Sequence, residues 1–199
     1  MGNTVGSQRK LTRIQKEALI GMILGDGTLE MNGHYPRLRV EHGLKQKEYL
    51  KWKYKMLAPL TVRKIQCFER KYPYCKFDTI STPLLEPYYK LFYRRGKKCI
   101  PEEIVQLLRS PLSLAIWFMD DGYRRNDCNA LRISTDAFSL REQKLLIKAL
   151  KKNFGIKARI HKKGRTWNIY IPSCETRKFS SLIKEYVIEE MKYKLPLTP

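Results

Sequence analysis

Two apolar runs of helical length stand out in the hydrophobic pattern of the chain. Residues 19–27 read LIGMILGDG and residues 114–122 read LAIWFMDDG, so both runs end on an Asp-Gly pair. An apolar run followed directly by turn residues is typical of a buried helix. Both runs are far shorter than the roughly 20 residues that a membrane span requires. We therefore predict two buried helices and no transmembrane segment.

The residues before each run predict where the two helices begin. Thr12 with Gln15 three positions later has the pattern of a capping box. Ser110 followed by Pro111 places an N-cap residue before a proline at the first helical position. Both helices therefore have a defined start as well as a defined end.

The segments that follow the two Asp-Gly pairs match each other. Each pair is followed by a short strand, a helical stretch, a β-hairpin and an amphipathic helix. In the first half these elements are predicted at residues 38–40, 45–57, 62–80 and 83–93. In the second half they are predicted at residues 131–133, 139–153, 157–171 and 174–188. The sequence therefore contains an internal duplication.

The distance from each Asp-Gly pair to a later lysine repeats as well. Lys98 follows Asp26 by 72 positions, and Lys194 follows Asp121 by 73. Both lysines stand just before a proline, in the sequences KCIP and KLP. This matched spacing is the strongest sign of duplication within the chain.

The duplication predicts an α+β fold with two α-β-β-α-β-β-α halves. We assign residues 1–100 to the first half and residues 101–199 to the second, joined near residues 101–110. Two antiparallel sheets related by a pseudo-twofold axis would follow from this order.

The charge of the chain indicates its partner. Lys and Arg number 40 against 19 Asp and Glu, which gives a formal net charge of +21. Such an excess would repel itself in a compact protein, so a polyanionic partner is the simplest explanation. The basic residues are spread along the chain and therefore belong to the fold itself. Pseudo-twofold symmetry suits duplex DNA, whose backbone has local twofold symmetry.

Alternation along the predicted strands gives one apolar face and one basic, polar face. The basic bias favours contacts with phosphates and base edges over an ordinary solvated surface. Among the histidines, His34 and His42 have no assigned role, because no metal-ligand spacing connects them. The candidate DNA-binding residues are Arg37, Arg39, Lys64, Gln66, Arg124, Arg132, Arg159, His161, Lys163, Arg165 and Asn168.

The five cysteines are odd in number and form no C-x-x-C pair. This pattern argues against a zinc site and against a disulfide framework, and it favours a reducing compartment. The N-terminus lacks the apolar stretch of a secretory signal. We expect the protein in the organelle that encodes it, mitochondrion or chloroplast, or in a bacterial cytoplasm.

The duplicated segments resemble the signature of the LAGLIDADG homing endonucleases, and the resemblance covers nearly the whole chain. The second motif is the closer match, in the context SPLSLAIWFMDDG with MKYKLP near the end. The resemblance implies two motif helices packed at the centre of the molecule and two sheets that form a DNA-binding saddle. It also implies a monomer that cuts both strands of a long, non-palindromic duplex target.

The resemblance assigns a metal site to the ends of the motif helices. By position, Asp26 and Asp121 would reach the scissile phosphates and hold divalent metal, and the carbonyls of Gly25 and Asp120 would be further metal contacts. Asp120 also gives the second motif an additional carboxylate, where the first has Gly25. Hard oxygen ligands suit Mg²⁺, so we expect Mg²⁺ as the cofactor, with Mn²⁺ as a substitute.

Lys98 and Lys194 match the active-site lysines of the resembled family. They would order the attacking water or stabilise charge on the phosphate. The alternative is that they are ordinary solvated lysines. A single Asp-Gly pair after a helix is common turn chemistry, whereas two copies in matched halves favour a functional role.

Two other functions remain open. An intron-splicing maturase would use the same fold to bind intron RNA, and a transcription regulator would use it to bind DNA without cleavage. Neither needs both motif aspartates and both lysines, so the pattern favours the nuclease. No separate recognition module fits outside the duplicated unit.

Overall fold

A computed structural model describes residues 10–196, and within that span no helix combines the length and apolarity needed to cross a membrane. The expected lack of a secretory signal concerns mainly residues 1–9, which lie outside the described residues. The first half contains α1 (Arg13–Leu24), β1 (Thr28–Asn32), β2 (Tyr35–Gly43), α2 (Lys47–Leu57), β3 (Gln66–Phe68), β4 (Tyr74–Asp78) and α3 (Glu86–Phe92). A connection follows, made of β5 (Tyr93–Arg94), β6 (Lys97–Lys98) and α4 (Ile104–Leu107). The second half contains α5 (Pro111–Asp121), β7 (Gly122–Arg124), β8 (Leu131–Ile133), α6 (Leu140–Phe154), β9 (Arg159–Lys163), β10 (Thr166–Ile171) and α7 (Ser173–Ile183).

This order confirms the predicted α+β fold with two α-β-β-α-β-β-α halves. Each half has a four-stranded antiparallel sheet, with strand orders β1-β2-β4-β3 and β7-β8-β10-β9. The registers also correspond, because Thr28 pairs with Arg39 and Tyr123 pairs with Arg132. The β5–β6 hairpin and the short α4 lie in the connection, where the sequence pattern predicted no element.

The predicted helix starts are confirmed by the hydrogen bonds at both N-termini. The Gln15 N–H donates to Thr12 Oγ1 at 3.2 Å, and the Thr12 N–H donates to Gln15 Oε1 at 2.9 Å. At the start of α5, the Leu112 N–H donates to Ser110 Oγ at 3.2 Å. These caps satisfy backbone donors that the first helical turn leaves unpaired.

Helices α1 and α5 pack directly against each other at the centre of the molecule. A Cβ atom added at Gly21 would lie 2.7 Å from Ile116 Cβ and 2.7 Å from the Ser113 carbonyl oxygen. Ser113 Oγ also donates to the Glu17 carbonyl at 2.6 Å. Only glycine permits this approach of the two backbones, and the approach brings the ends of both motif helices together.

Gly21→Ala is expected to destabilise the protein by about 1–3 kcal/mol, because one of the atoms that the new methyl group meets is backbone and cannot move alone. Urea unfolding followed by circular dichroism measures this loss. Gly43→Ala is the matched control, since a Cβ there meets nothing within 4 Å and its φ is −55°. Equal stability of the two variants would contradict the close packing at Gly21.

The cysteine prediction was wrong in one respect, because Cys67 and Cys75 form a disulfide. These residues lie directly opposite each other on β3 and β4, so their side chains meet across the strand pair. An odd cysteine count requires only that one thiol remain unpaired, and it does not exclude a single bridge. Cys99, Cys128 and Cys174 are free. The expected reducing compartment therefore loses the support of the cysteine pattern.

Candidate active site

The two motif aspartates lie where the central helices end. Helix α1 ends at Leu24, so Asp26 follows it by two residues, whereas Asp121 is the last residue of α5. The Asp26 side chain is 43% exposed, and Asp121 is half-buried. Between these helix ends the Asp120 side chain is fully buried. The packing of α1 against α5 thus concentrates three carboxyl groups from two distant parts of the sequence.

Two of these carboxyl groups, Asp26 and Asp121, resist ionisation. Burial raises the pKa of Asp121 to about 8, and the negative charges of Asp26 and Asp120 act in the same direction. Burial likewise raises the pKa of Asp26, with the charge of Asp120 as the second cause and nearby lysines in opposition. Carboxylates crowded in this way bind a proton or another cation to relieve their repulsion. The helix ends therefore have the electrostatics of a cation site.

Lys98 reaches the end of the first motif helix from β6. Its Nζ donates to the Gly25 carbonyl at 2.9 Å and to the Gly27 carbonyl at 2.8 Å. Carbonyls at a helix C-terminus lack intrahelical partners and carry partial negative charge, so an ammonium group is favourable there. Burial lowers the pKa of Lys98, and the charges of Asp121 and Asp26 oppose that change.

Lys194 makes the corresponding contacts at the end of the second motif helix. Its Nζ donates to the Met119 carbonyl and, at 3.0 Å, to the Asp120 carbonyl. Lys194 is only 8% exposed, and burial lowers its pKa. Neither lysine is an ordinary solvated side chain. The carbonyls of Gly25 and Asp120, which were predicted to bind metal, both accept a hydrogen bond from these lysines.

The Asp120 carboxylate is held by three donors. Lys53 Nζ lies 2.5 Å from Oδ1, the Tyr49 hydroxyl donates to Oδ1 at 2.8 Å, and the Asp26 N–H donates to Oδ2 at 3.1 Å. Lys53 and Tyr49 are both fully buried. A Cβ atom at Gly25 would come within 2.4 Å of Asp120 Oδ2, so this carboxylate needs glycine on the opposite helix.

His42 completes the group from the buried face of β2. Its Nδ1 lies 3.5 Å from Asp26 Oδ2, and its Nε2 lies 3.0 Å from Lys53 Nζ. Burial and the charge of Lys53 lower the pKa of His42 to about 4, whereas Asp120 opposes the change. In the described part of the chain, Asp26, His42 and Asp120 form a group whose potential ligand atoms lie within 4.8 Å of one another, although Lys53 already places a cation beside Asp120 and His42.

His42 has no role predicted from the sequence, and Lys53 and Tyr49 are not among the predicted site residues. One signal was present in the sequence, since His42 continues the alternation of Leu38 and Val40 and therefore falls on the core face of β2. A histidine on such a face needs a polar partner. The partner comes from α2, and no spacing in the sequence predicts that contact.

The candidate DNA-binding residues lie mainly on the exposed or half-buried faces of the two sheets. Arg37 and Arg39 are both ion-paired with Glu30, at 2.6 Å and 3.1 Å, and Arg39 Nε also contacts Asp78 at 2.8 Å. These pairs fix the guanidinium groups along one strand. The exposed members of the set are Lys64, Arg159, Lys163 and Arg165, and the half-buried members are Arg37, Arg39, Gln66, Arg124, Arg132 and His161.

Asn168 differs from the other candidates because it is fully buried. Among the described residues, its amide nitrogen and oxygen have no hydrogen-bond partner, and neither does Arg132 Nε. His161 pairs with Asn168 across the strands and stacks on Tyr170, with ring centroids 4.1 Å apart. Buried polar groups without partners are costly, so these atoms need a ligand, a water molecule or a rearrangement to satisfy them.

The raised pKa of Asp121 makes stability without metal depend on pH. Its pKa of about 8 in the folded protein exceeds the value of about 3.9 in an unfolded chain, so the folded state holds the proton more tightly. The stabilisation from this group is complete below the unfolded value and is lost as pH rises through the folded value. The stability of Asp121→Asn relative to the parent chain should therefore rise by about 2–3 kcal/mol from pH 6 to pH 8 and level off above pH 8. Urea unfolding in a chelator measures both chains, and a pH-independent difference would contradict the prediction.

Comparison with known proteins agrees with this geometry. The chain matches the LAGLIDADG DNA endonuclease family over residues 16–179. It is 32% identical to the DNA endonuclease I-ChuI of Chlamydomonas applanata, covering 93% of this chain and 95% of that protein. It is 30% identical to the cytochrome b mRNA maturase bI2 of Debaryomyces hansenii, covering 97% and 78%. The solved structure of the homing endonuclease I-WcaI bound to its DNA recognition sequence superimposes with a TM-score of 0.91 at 27% identity, covering 98% and 91%. The chain therefore belongs to the LAGLIDADG DNA endonuclease family.

Proposed function

We propose that this protein is a site-specific DNA endonuclease that hydrolyses both strands of a long, non-palindromic duplex target. The observation that carries the proposal is the convergence of Asp26, Asp121, the half-buried Lys98 and the buried Lys194 at the ends of the packed motif helices. Membership of the family and the fold shared with I-WcaI, which was solved on its DNA target, support it. The net charge of +21 suits a polyanionic partner.

The donor set fits a hard divalent cation. Asp26 and Asp121 would hold it, with the carbonyls of Gly25 and Asp120 as neighbouring oxygen donors, and Mg²⁺ is the natural choice for such ligands. The raised pKa of Asp121 supports this assignment, since a cation relieves the repulsion that burial and like charge create. When bound, divalent metal lowers the pKa of water and stabilises charge on a phosphate.

The residues of the chain have separate tasks in this scheme. Asp26 and Asp121 stand at equivalent places in the two halves, so each would serve one strand. Lys98 and Lys194 fix the helix-end carbonyls and bring positive charge to the point where charge develops on the phosphate. The basic faces of the sheets would position the duplex, because phosphate contacts set register and base contacts set sequence.

Lys98→Ala and Lys194→Ala are expected to slow cutting by about 10²–10³-fold, as for the removal of one preorganised donor, and to weaken binding far less. Their Nζ atoms donate to helix-end carbonyls beside the carboxyl cluster, so they are poorly placed to bind DNA phosphates away from this cluster. Affinity and single-turnover cleavage on one duplex measure the two effects. If both variants lose affinity in proportion to rate, the lysines are phosphate clamps.

Selection of cleaved molecules from a randomised duplex pool in Mg²⁺ tests the proposed function. Recovery of one long, asymmetric consensus is the expected result, and sedimentation of the complex should show one chain per duplex because each chain carries both motifs. Chelation should stop the cutting, and Mn²⁺ should restore it. Absence of any cleaved consensus, or a required ratio of two chains per duplex, would contradict the proposal.

A second candidate function is RNA binding as an intron-splicing maturase. The specific observation in its favour is the 30% identity to the maturase of Debaryomyces hansenii. In this scheme intron RNA would occupy the basic surface, and the aspartates would not be needed. If a host intron is still spliced by the Asp26→Asn variant, the result favours this function. If the same change abolishes strand cleavage, the result favours the nuclease.

A further inference from the structure

A chain of contacts connects Asp120 to Asp26 through two buried side chains. Asp120 Oδ1 lies 2.5 Å from Lys53 Nζ, which lies 3.0 Å from His42 Nε2, and His42 Nδ1 lies 3.5 Å from Asp26 Oδ2. The Lys53 ammonium group is itself the cation between Asp120 and His42. The positive charge of Lys53 therefore disfavours a metal ion between Asp120 and His42.

The contact with Lys53 fixes the tautomer of His42. An ammonium group offers only donors, so the imidazole nitrogen that faces it must accept. Nε2 is therefore unprotonated and the single ring proton is on Nδ1, the nitrogen nearer to Asp26. Lys53 and His42 are 0% and 4% exposed, so water does not compete for this arrangement.

We propose that His42 is a positioning residue for Asp26, and this inference rests on the proposed nuclease function. The Nδ1–H group, aimed by Lys53, faces the Asp26 carboxylate at 3.5 Å and would hold it in the orientation that a metal ion needs once this contact closes to hydrogen-bond distance. Groups that orient a metal ligand in this way typically change metal affinity or activity by about 10–100-fold when they are replaced.

Among the described residues of the second half, no equivalent pair of side chains positions Asp121. The matching registers place Thr135 three positions beyond Arg132, just as His42 lies three positions beyond Arg39. Thr135 Oγ1 donates to Gln143 Oε1 at 2.7 Å, and Gln143 Nε2 donates to the Thr135 carbonyl at 2.6 Å. These buried, neutral groups form hydrogen bonds with each other and do not position the Asp121 carboxylate. Loss of His42 should therefore affect one strand of the target more than the other.

Two variants separate the contacts of His42. In His42→Asn the amide group takes the place of Nδ1 and can still donate to Asp26. In His42→Gln the amide group takes the place of Nε2 and can satisfy only Lys53. A positioning role predicts that the asparagine variant stays within a few fold of the parent chain and that the glutamine variant cuts one strand about 10–100-fold more slowly. A structural role toward Lys53 predicts the reverse order.

The experiment combines three measurements on the full chain. Target duplex labelled on each strand in turn gives the two cutting rates. Electron paramagnetic resonance of Mn²⁺ with the protein bound to its cleaved product gives metal affinity without turnover, and the glutamine variant should bind at least one Mn²⁺ about 10-fold or more weakly. Long-range ¹⁵N NMR of the metal-free protein should show the Nδ1–H tautomer of His42. Thr135→Val is the matched control and should leave the ratio of strand rates unchanged.

The inference is overturned by an Nε2–H tautomer, by equal slowing of both strands, or by a glutamine variant that performs as well as the asparagine variant. A parent chain that cuts no duplex in Mg²⁺ would instead refute the proposed function. In that case the tautomer of His42 in the metal-free protein still decides whether its Nδ1–H group faces Asp26.

Discussion

Asp26→Asn is expected to slow cleavage of at least one strand by about 10³-fold or more, which corresponds to the loss of about 4 kcal/mol of transition-state stabilisation from a metal ligand. Binding of the target duplex should remain nearly intact, because the change removes negative charge and leaves the basic sheets untouched. Asp121→Asn should have the same effect on the other strand. Single-turnover cleavage with each strand labelled, together with equilibrium binding, measures both effects.

The matched control for these variants is Glu102→Gln. Glu102 is 53% exposed and ion-paired with the exposed Arg141, outside the carboxyl cluster at the helix ends. Its neutralisation changes the net charge of the chain by the same amount and should leave both strand rates unchanged. An Asp26→Asn variant that still cuts both strands at the normal rate would remove this residue from the proposed site.

Affinity for the target should fall by about 10³–10⁵-fold between 50 and 200 mM salt, as expected when six to ten phosphates are neutralised and their counterions are released. The physical basis is the net charge of +21, part of which lies on the basic faces of both sheets. Replacing a base-reading residue should relax sequence preference at its position by about 1–3 kcal/mol, and we expect this of Arg132→Ala or Arg159→Ala. Replacing a phosphate-contacting lysine should weaken all sequences alike and reduce the salt slope by about 1.

Lys90→Ala provides the control for the salt measurements. Lys90 is 72% exposed and paired with Glu86 on helix α3, so it belongs to neither sheet. Fluorescence anisotropy across the salt range should give the same slope for this variant as for the parent chain. An affinity that changes less than about 10-fold over the range would contradict binding through many phosphates.

The architecture could be predicted from the sequence, because the patterns that specify it are local and occur twice. The capping box of Thr12 and the Ser110–Pro111 pair predicted the two helix starts, and both are present in the structure. Strands followed from alternation, and the repeated order of elements predicted two equivalent sheets. The motif aspartates were found because each stands beside a glycine at the end of an apolar run.

The differences between the two halves depend on packing between distant elements, and no local pattern predicts them. His42 and Lys53 lie in the carboxyl cluster because β2 and α2 pack beside the end of helix α5. Asp120 on α5 supplies the charge that pairs with Lys53. A buried cation is stable only where a partner charge lies beside it, and the residue that supplies that charge is 67 positions away.

The disulfide and the buried Asn168 have the same kind of explanation. Pairing of Cys67 with Cys75 depends on strand register, which brings opposite residues together across the ladder. Alternation placed Asn168 on the polar face of β10, but in the structure it is fully buried opposite His161 on β9. A sequence pattern assigns a residue to a face through local geometry. The side chains that cover that face come from distant parts of the chain, so exposure and charge partners are decided only when the elements pack.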